Sequence, residues 1–442
     1  MGVAKLNLEC RRKKDEVIGL CKIFDADIEM IFLADGIKGP YNSEALKDIL
    51  GLKDPSESMI GLYRFIFNPN LQMDFEKRKL EKYLNRDYKK WSQPKEVSHR
   101  YKLNKLEREK SVLKEFEMDP DVKIENLGNI GNVYAMKGRK YLKNKILLEK
   151  GDMLEVEGEI ISYGKGFSEE KAKASAYFEL IERLNSMLLT DERKFFEYSV
   201  DELKKGHEDF VDPAEFLNCM VVPRKNEKLE WVETEEMISK KKVLLPAGAV
   251  YYLLFPKENL FNPFSGNSIG LAASNEKEYA IKHALYEIIE KDAAISAKNL
   301  LKLNNESFPN DIKEVIKELH KYGLNTTIEL STEIPYFVKA FLEGSRMGLR
   351  SRYEGMRFHP DPEEAVKGAF SEAVMAYLSE PMQFTERLEI KNYGYDFNKL
   401  KKFEDSLDHT LTFFEKTGFS VYLYSLKEKP YLVRVISPDL VY

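Results

Sequence analysis

The stretch YGKGFSEEKAKASAYFELIER, residues 163–183, decides how the rest of the chain is read. It follows β-like runs, VYAMK and LEVEGEIISYG, and passes into a helical pattern from Ser168 to Leu189. Gly164 and Gly166 permit tight backbone approach, Lys165 has the reach to meet a phosphate, and Ser168 stands as an N-cap. The N–H groups and dipole at such a helix start favour an anion. The Walker A spacing G-x-x-x-x-G-K-[ST] does not occur, and an ordinary turn would use the same glycines.

Working outward, the helix pattern recurs. Ala176-x-x-Glu179-x-x-Glu182-Arg183 is followed by Ala284-x-x-Glu287-x-x-Glu290-Lys291 and by Ala369-x-x-Glu372. At about 100° per residue, Ser175, Glu179 and Glu182 share one stripe, opposite Tyr177, Leu180, Leu184 and Leu188. Glu287 sits among Ala280, Ala284 and Ala294, with His283 and Glu290 beside it. Glu372 is flanked by Ala365, Gly368, Ala369 and Ala376. A solvated face in a Lys/Glu-rich chain would carry long mixed charges, whereas small residues admit another backbone or a ligand. Gathered carboxylates repel unless cations neutralise them, and Mg²⁺ typically joins one or two carboxylates to nucleotide phosphates. A Mg²⁺–phosphate site and a plain polar face both stay open on spacing alone. Asn275, before the second helix, is a candidate cap and nucleotide contact.

Around these helices lie strand-like runs, VLLPAG, VYYLLF, PYFVKAFLEG and YLVRVIS, so the chain from about Asp121 is expected to be a mixed α/β or α+β domain. The second helix is expected from Glu276 to about Leu300 and the third from Pro362 to Leu378. Residues 1–105 differ in texture, and Glu76–Lys114 reads as exposed helix or linker. Its basic cluster, Arg86–Lys90, is read as solvated surface.

Composition excludes several classes. Of 442 residues, 43% are hydrophobic and 32% charged, as in soluble globular proteins. No apolar run suggests a membrane span, and no signal core opens the chain, so a cytoplasmic location is expected. Cys10, Cys21 and Cys219 are scattered, which argues against a disulfide framework or zinc cluster. A net charge of −5 from 69 basic and 74 acidic residues gives no case for nucleic acid. Gln occurs only at Gln72, Gln93 and Gln383, a bias that suits a hyperthermophile.

The motifs together resemble the YcaO family. YGKGFSEEKAKASAYFELIER is similar to its GKG-to-helix segment, NSIGLAASNEKEYAIKHALYEIIEKDA to its second signature, HPDPEEAVKGAFSEAV to its third, and YLVRVISPDL to its closing strand. The resemblance runs in family order across roughly residues 105 to 442. It implies mixed sheets with helices carrying an ATP site between them in residues 106–442, and a smaller N-terminal region, 1–105, for substrate or partner recognition. It places Lys165, Ser175, Glu179, Glu182, Asn275, Glu287, Glu290, Lys291 and Glu372 at nucleotide, with Glu179, Glu182, Glu287 and Glu290 also at Mg²⁺. The chain departs from the family at Tyr279, Lys291, Met375 and Tyr377, which bears on nucleotide contacts rather than on the carboxylates.

Family members phosphorylate a backbone amide oxygen of a peptide so that it can leave. The absence of a Pro-rich tail after SPDLVY points from azoline formation to thioamide formation. With the hyperthermophile-like composition, the resemblance implies an archaeal enzyme acting on a glycine of methyl-coenzyme M reductase. Sulfur would come as external sulfide or from a delivery partner, since Cys219 in FLNCMVV reads as a buried strand residue. No membrane or nucleic-acid partner is expected, and a homodimer stays open. His283 could assist proton transfer but is read first as a packed or surface residue, and His359 as shaping a turn. An azoline-forming cyclodehydratase and a non-catalytic, nucleotide-binding scaffold that delivers a peptide remain the alternatives.

Overall fold

The computed structural model describes residues 119–440 except 148–152, 189–194, 217–218, 220–221, 255–259, 265, 298–299, 332–335, 347–348, 380–393 and 401–402. The proposed recognition region 1–105, with Arg86–Lys90, lies outside the described residues.

Lys123–Ile130 (β1), Val133–Leu147 (β2) and Met153–Gly166 (β3) form an antiparallel meander with β3 at one edge. Glu169–Asn185 (α1) follows at once, with Ser168 Oγ accepting from Lys171 N at 3.2 Å. The helix ends at Asn185, short of the expected Leu189, and its cap Ser186 donates from both N–H and Oγ to Glu182 O, the latter at 2.5 Å. Met187–Leu188 (β4) then pairs in parallel with Leu253–Leu254 (β8).

A second sheet runs β5-β6-β14-β15-β9, with β7 beside β6. Its strands are Phe196–Ser199 (β5), Lys228–Glu236 (β6), Lys242–Pro246 (β7), Leu271–Ser274 (β9), Tyr422–Glu428 (β14) and Tyr431–Ile436 (β15). The expected strand VYYLLF starts in a helical turn, Ala247–Val250, and among its described residues Leu253–Leu254 pair as a strand. Cys219 is fully buried and bridges Phe264, while the rest of the expected strand around it, 217–218 and 220–221, lies outside the described residues.

The third sheet, β10-β11-β12-β13, is antiparallel throughout. It comprises Leu300–Lys302 (β10), Asn325–Ser331 (β11), Phe337–Arg346 (β12) and Leu349–Phe358 (β13). The remaining long helices are Lys277–Ser296 (α2), Asn310–Lys321 (α3), Pro362–Ser379 (α4) and Leu407–Thr417 (α5).

Three helices sit where sheets meet, and this explains their composition. On α1, Tyr177, Leu180 and Ile181 pack with Ala273 and Leu432 of the second sheet, while Ala172 and Ala176 lie on β2 and β3. On α2, Ala280, Ala284, Ile281 and Leu285 join Ala272 and Val433 of the second sheet and Phe337 and Phe358 of the third. On α4, Ala369, Phe370 and Val374 join Ile328 and Val338 of the third sheet and Ile130 and Val133 of the first. Each helix is therefore buried on two flanks, not along one stripe. The alanines beside the glutamates are core residues, and the polar stripe is the remaining sector. Burying a side chain such as Phe370 or Leu180 fully contributes about 2–3 kcal/mol each.

Candidate active site

The glycines near Lys165 serve packing. GKG is the end of β3, paired with β2, and not a turn. A Cβ on Gly164 would lie 2.1 Å from Ala172 O and 2.2 Å from Ala176 N, so α1 rests directly on the strand backbone. Gly355 of β13 does the same for α4, with Ala369 O at 2.1 Å and Ala373 N at 2.4 Å from the added Cβ. The two close approaches set a structural register: Ala176 matches Ala373, so Ser175 matches Glu372. The spacing Ala-x-x-Glu had paired Glu179 with Glu372, which is about one turn out.

From the three junctions the glutamates converge. Four of them have one oxygen pinned by a strand or loop N–H. Glu182 Oε1 accepts from Ala273 N at 2.8 Å, and Glu287 Oε2 from Gly270 N at 3.0 Å. Glu290 Oε2 accepts from Phe358 N at 3.3 Å, and Glu372 Oε2 from Met356 N at 3.1 Å. Glu179 Oε1 meets Arg183 Nη2 at 2.5 Å. The cations are few: Lys165 Nζ lies 3.0 Å from Glu372 Oε1, and Lys291 Nζ lies 2.9 Å from Glu290 Oε1.

The charge balance of this cluster is uneven. Burial pushes the Glu287 carboxyl up to about 7, against Lys291 and with the repulsion of Glu290. Burial also raises Glu182 well above the usual range, and Glu287 and Glu179 add to it. Glu179 is raised by burial in spite of Arg183 and Lys165, with Glu372 pushing the same way. These mutual repulsions show that Glu179, Glu182, Glu287, Glu290 and Glu372 form one connected group. Glu372 differs: burial works against its charge, but Lys165 and Lys291 hold the carboxyl below its usual range. Burial likewise opposes charge on Lys291, and Glu290, Glu372 and Glu287 overcome it to raise the ammonium.

Ser175 is half-buried one turn before Glu179 on α1. Asn275 does not cap α2, whose cap position is Glu276 without a side-chain bond. Its Nδ2 is buried and has no acceptor among the described residues. All the sequence-predicted site residues thus come from α1, α2, α4, the end of β3 and the β9–α2 step.

Arg357 of β13 was missed. Its Nη2 lies 3.1 Å from His283 Nδ1, and its Nη1 lies 3.9 Å from Glu290 Oε2. A lone Arg in a Lys/Arg-rich chain gives no signal; only strand alternation next to Gly355 could have placed it. Burial lowers His283 to about 3, with Arg357, Lys165 and His359 adding to the effect. His359 shapes a turn as expected, its Nδ1 accepting from Asp361 N at 3.0 Å.

Residues 163–388 match the YcaO family, described as an ATP- and Mg²⁺-binding YcaO cyclodehydratase. The chain belongs to the YcaO family. A heterocyclase in complex with substrate and cofactor shares the YcaO fold at a TM-score of 0.61 and 15% identity, over 75% of this chain and 52% of that one. YcaO from Methanopyrus kandleri, bound with AMPPCP and Mg²⁺, aligns at a TM-score of 0.52 and 18% identity, over 76% of this chain and 90% of that one. Their likeness shows the shared α+β architecture of helices and antiparallel sheets. An uncharacterized protein of Methanothermobacter thermautotrophicus is 29% identical over 222 residues, 48% of this chain and 56% of that one. A protein described by its place in the tfuA 3′ region of Rhizobium leguminosarum bv. trifolii is 24% identical over 235 residues, 49% of this chain and 54% of that one. The chain spans about half the length of the curated relatives it matches.

The residues present fit the ligands by which the YcaO family is described. Among the described residues no three His, Cys, Asp or Glu side chains close on one point as a ready-made metal cage. Mg²⁺ does not ask for one, since it usually takes one or two carboxylates and completes its shell with water and phosphate. Carboxylates whose charge is suppressed by burial and by one another are suited to a divalent cation, and an amide donor without an acceptor among the described residues, as at Asn275 Nδ2, suits a polar ligand. No helix among the described residues is long and apolar enough to cross a membrane.

Proposed function

We propose that this junction binds MgATP and activates a peptide amide, phosphorylating its backbone oxygen before sulfide attack yields a thioamide. The observation that carries this reading is the convergence of five glutamates from three helices beside Lys165, Lys291 and the unpartnered Asn275 amide. Glu179, Glu182, Glu287 and Glu290 would hold Mg²⁺, while Lys165, Ser175, Asn275, Lys291 and Glu372 would line the nucleotide. ATP supplies the phosphoryl group that converts a poorly leaving amide oxygen into a good leaving group. The chain's own residues orient and neutralise. Glu372 holds the Lys165 ammonium in place beside the cluster, and Glu290 does the same for Lys291. The N–H groups of Gly270, Ala273, Met356 and Phe358 fix the carboxylate rotamers, so little reorganisation is needed when charge develops.

The leading target is a glycine of methyl-coenzyme M reductase, with sulfur from external sulfide or a delivery partner. The Methanothermobacter and Methanopyrus proteins to which the chain is similar support a methanogen setting. The description of the family as a cyclodehydratase favours a second reading, azoline formation. Residues 1–105 are proposed as the recognition region.

The test is ADP release in the presence of a substrate peptide, sulfide and Mg²⁺, followed by the mass of the peptide. Exchange of oxygen for sulfur is expected, with turnover lost in Glu179→Gln and Glu287→Gln. Loss of water from the peptide selects the azoline reading, and peptide binding without turnover selects a scaffold. An unchanged thioamide glycine in a deletion strain rules out the named target.

A further inference from the structure

Arg357 and His283 meet at the cluster's edge in a way that fixes the chemistry of the imidazole. Arg357 stands on β13, and its stem crosses α4 at Gly368, where an added Cβ would lie 2.6 Å from Arg357 Cγ. The missing side chain at Gly368 is what lets the guanidinium pass. At its far end Arg357 Nη2 is 3.1 Å from His283 Nδ1. A guanidinium only donates, so Nδ1 must accept, and the ring proton of a neutral imidazole is then on Nε2. Glu290 Oε2, 3.9 Å from Arg357 Nη1, steadies the guanidinium on its other side. The imidazole is stacked on Tyr279, ring centroids 6.3 Å apart and interplanar angle 11°, which fixes its plane. His283 lies one helical turn before Glu287, and the charges of Arg357 and Lys165 add to the burial that lowers its basicity.

We propose that Arg357 is a positioning residue that locks His283 as a neutral imidazole, presenting Nε2–H to an anionic oxygen of the substrates beside Lys165. The inference rests on the proposed amide-activating function. The low basicity of His283, about 3, agrees with a ring that stays neutral throughout. The pair acts by hydrogen bonding and takes no proton: Nε2–H donates to a phosphoryl or amide oxygen as negative charge builds there. One such donor, when removed, typically lowers kcat by about 100-fold or more.

Two measurements test this on the full chain. Nitrogen-15 spectra of protein labelled only at histidine report the tautomer, and the His283 signals are those lost in His283→Gln. The wild type is expected to show a protonated Nε2 and a bare Nδ1 at neutral pH, and Arg357→Met to show a mixture. A protonated Nδ1 in the wild type, or an unchanged tautomer in Arg357→Met, overturns the proposal. Peptide-stimulated ADP release is expected to fall about 100-fold in kcat in His283→Leu and Arg357→Met, with KM for ATP within about threefold. His283→Gln, which keeps a neutral donor, is expected to recover part of the rate, a rescue that a packing role would not give. Full activity in His283→Leu with loss in Glu287→Gln overturns this inference alone. Full activity in Glu287→Gln overturns the proposed function and this inference with it.

Discussion

Asn275 Nδ2 is a buried donor with no acceptor among the described residues, which costs stability unless a ligand completes it. Asn275→Ala is therefore expected to leave Tm unchanged or slightly raised while weakening ATP binding about tenfold. Paired melting and nucleotide titration check both halves. Glu329 of β11 is a further strained carboxyl, away from the cluster: it is 1% exposed and its Oε1 has no partner among the described residues. Burial pushes it up to about 7, against Arg352 and Lys339. For a carboxyl raised in the folded state, the stabilising contribution is present below the unfolded value of 4.5 and is lost as pH rises through about 7. Glu329→Gln is accordingly expected to gain on the wild type between about pH 5 and about pH 8, by on the order of 3 kcal/mol. A stability difference that does not change with pH would contradict this assignment.

At the scale of elements, the site depends on two helices lying on bare strand backbone. Gly164→Ala and Gly355→Ala each place a methyl group 2.1 Å from a helix carbonyl. Each is expected to destabilise by about 1–3 kcal/mol and to lower ATP turnover more than a surface substitution of equal thermal cost, because Glu179 and Glu372 shift with their helices. Helical spacing made the carboxylate stripes legible in the sequence, since Glu179, Glu182, Glu287, Glu290 and Glu372 are local features of single helices. It could not show that Ala280, Ala284 and Ala369 are core, because the sheets that cover them come from distant parts of the chain. Nor could it reveal the register that matches Ser175 to Glu372, which is set by glycines on the preceding strands. The GKG step misled for a related reason: glycines that suit a phosphate turn suit a strand under a helix equally well.

Among the described residues, three of the sheets meet pairwise at α1, α2 and α4, and the polar sector of each helix carries its glutamates to the shared cluster. Mixed strands and helices were foreseeable from alternating patterns; the three-way junction was not, since strand order is non-local. A ligand that spans the junction should stabilise all three sheets together. A non-hydrolysable ATP analogue with Mg²⁺ at about a hundredfold its Kd is expected to add about 2.7 kcal/mol, seen as a rise in Tm that disappears on chelation and in Glu287→Gln. The central claim concerns the fate of one oxygen atom. A substrate peptide carrying oxygen-18 at the target backbone carbonyl, incubated with the enzyme, ATP, Mg²⁺ and sulfide, should release phosphate that contains the label. Label retained in the modified peptide, or phosphate that contains none, would contradict amide phosphorylation.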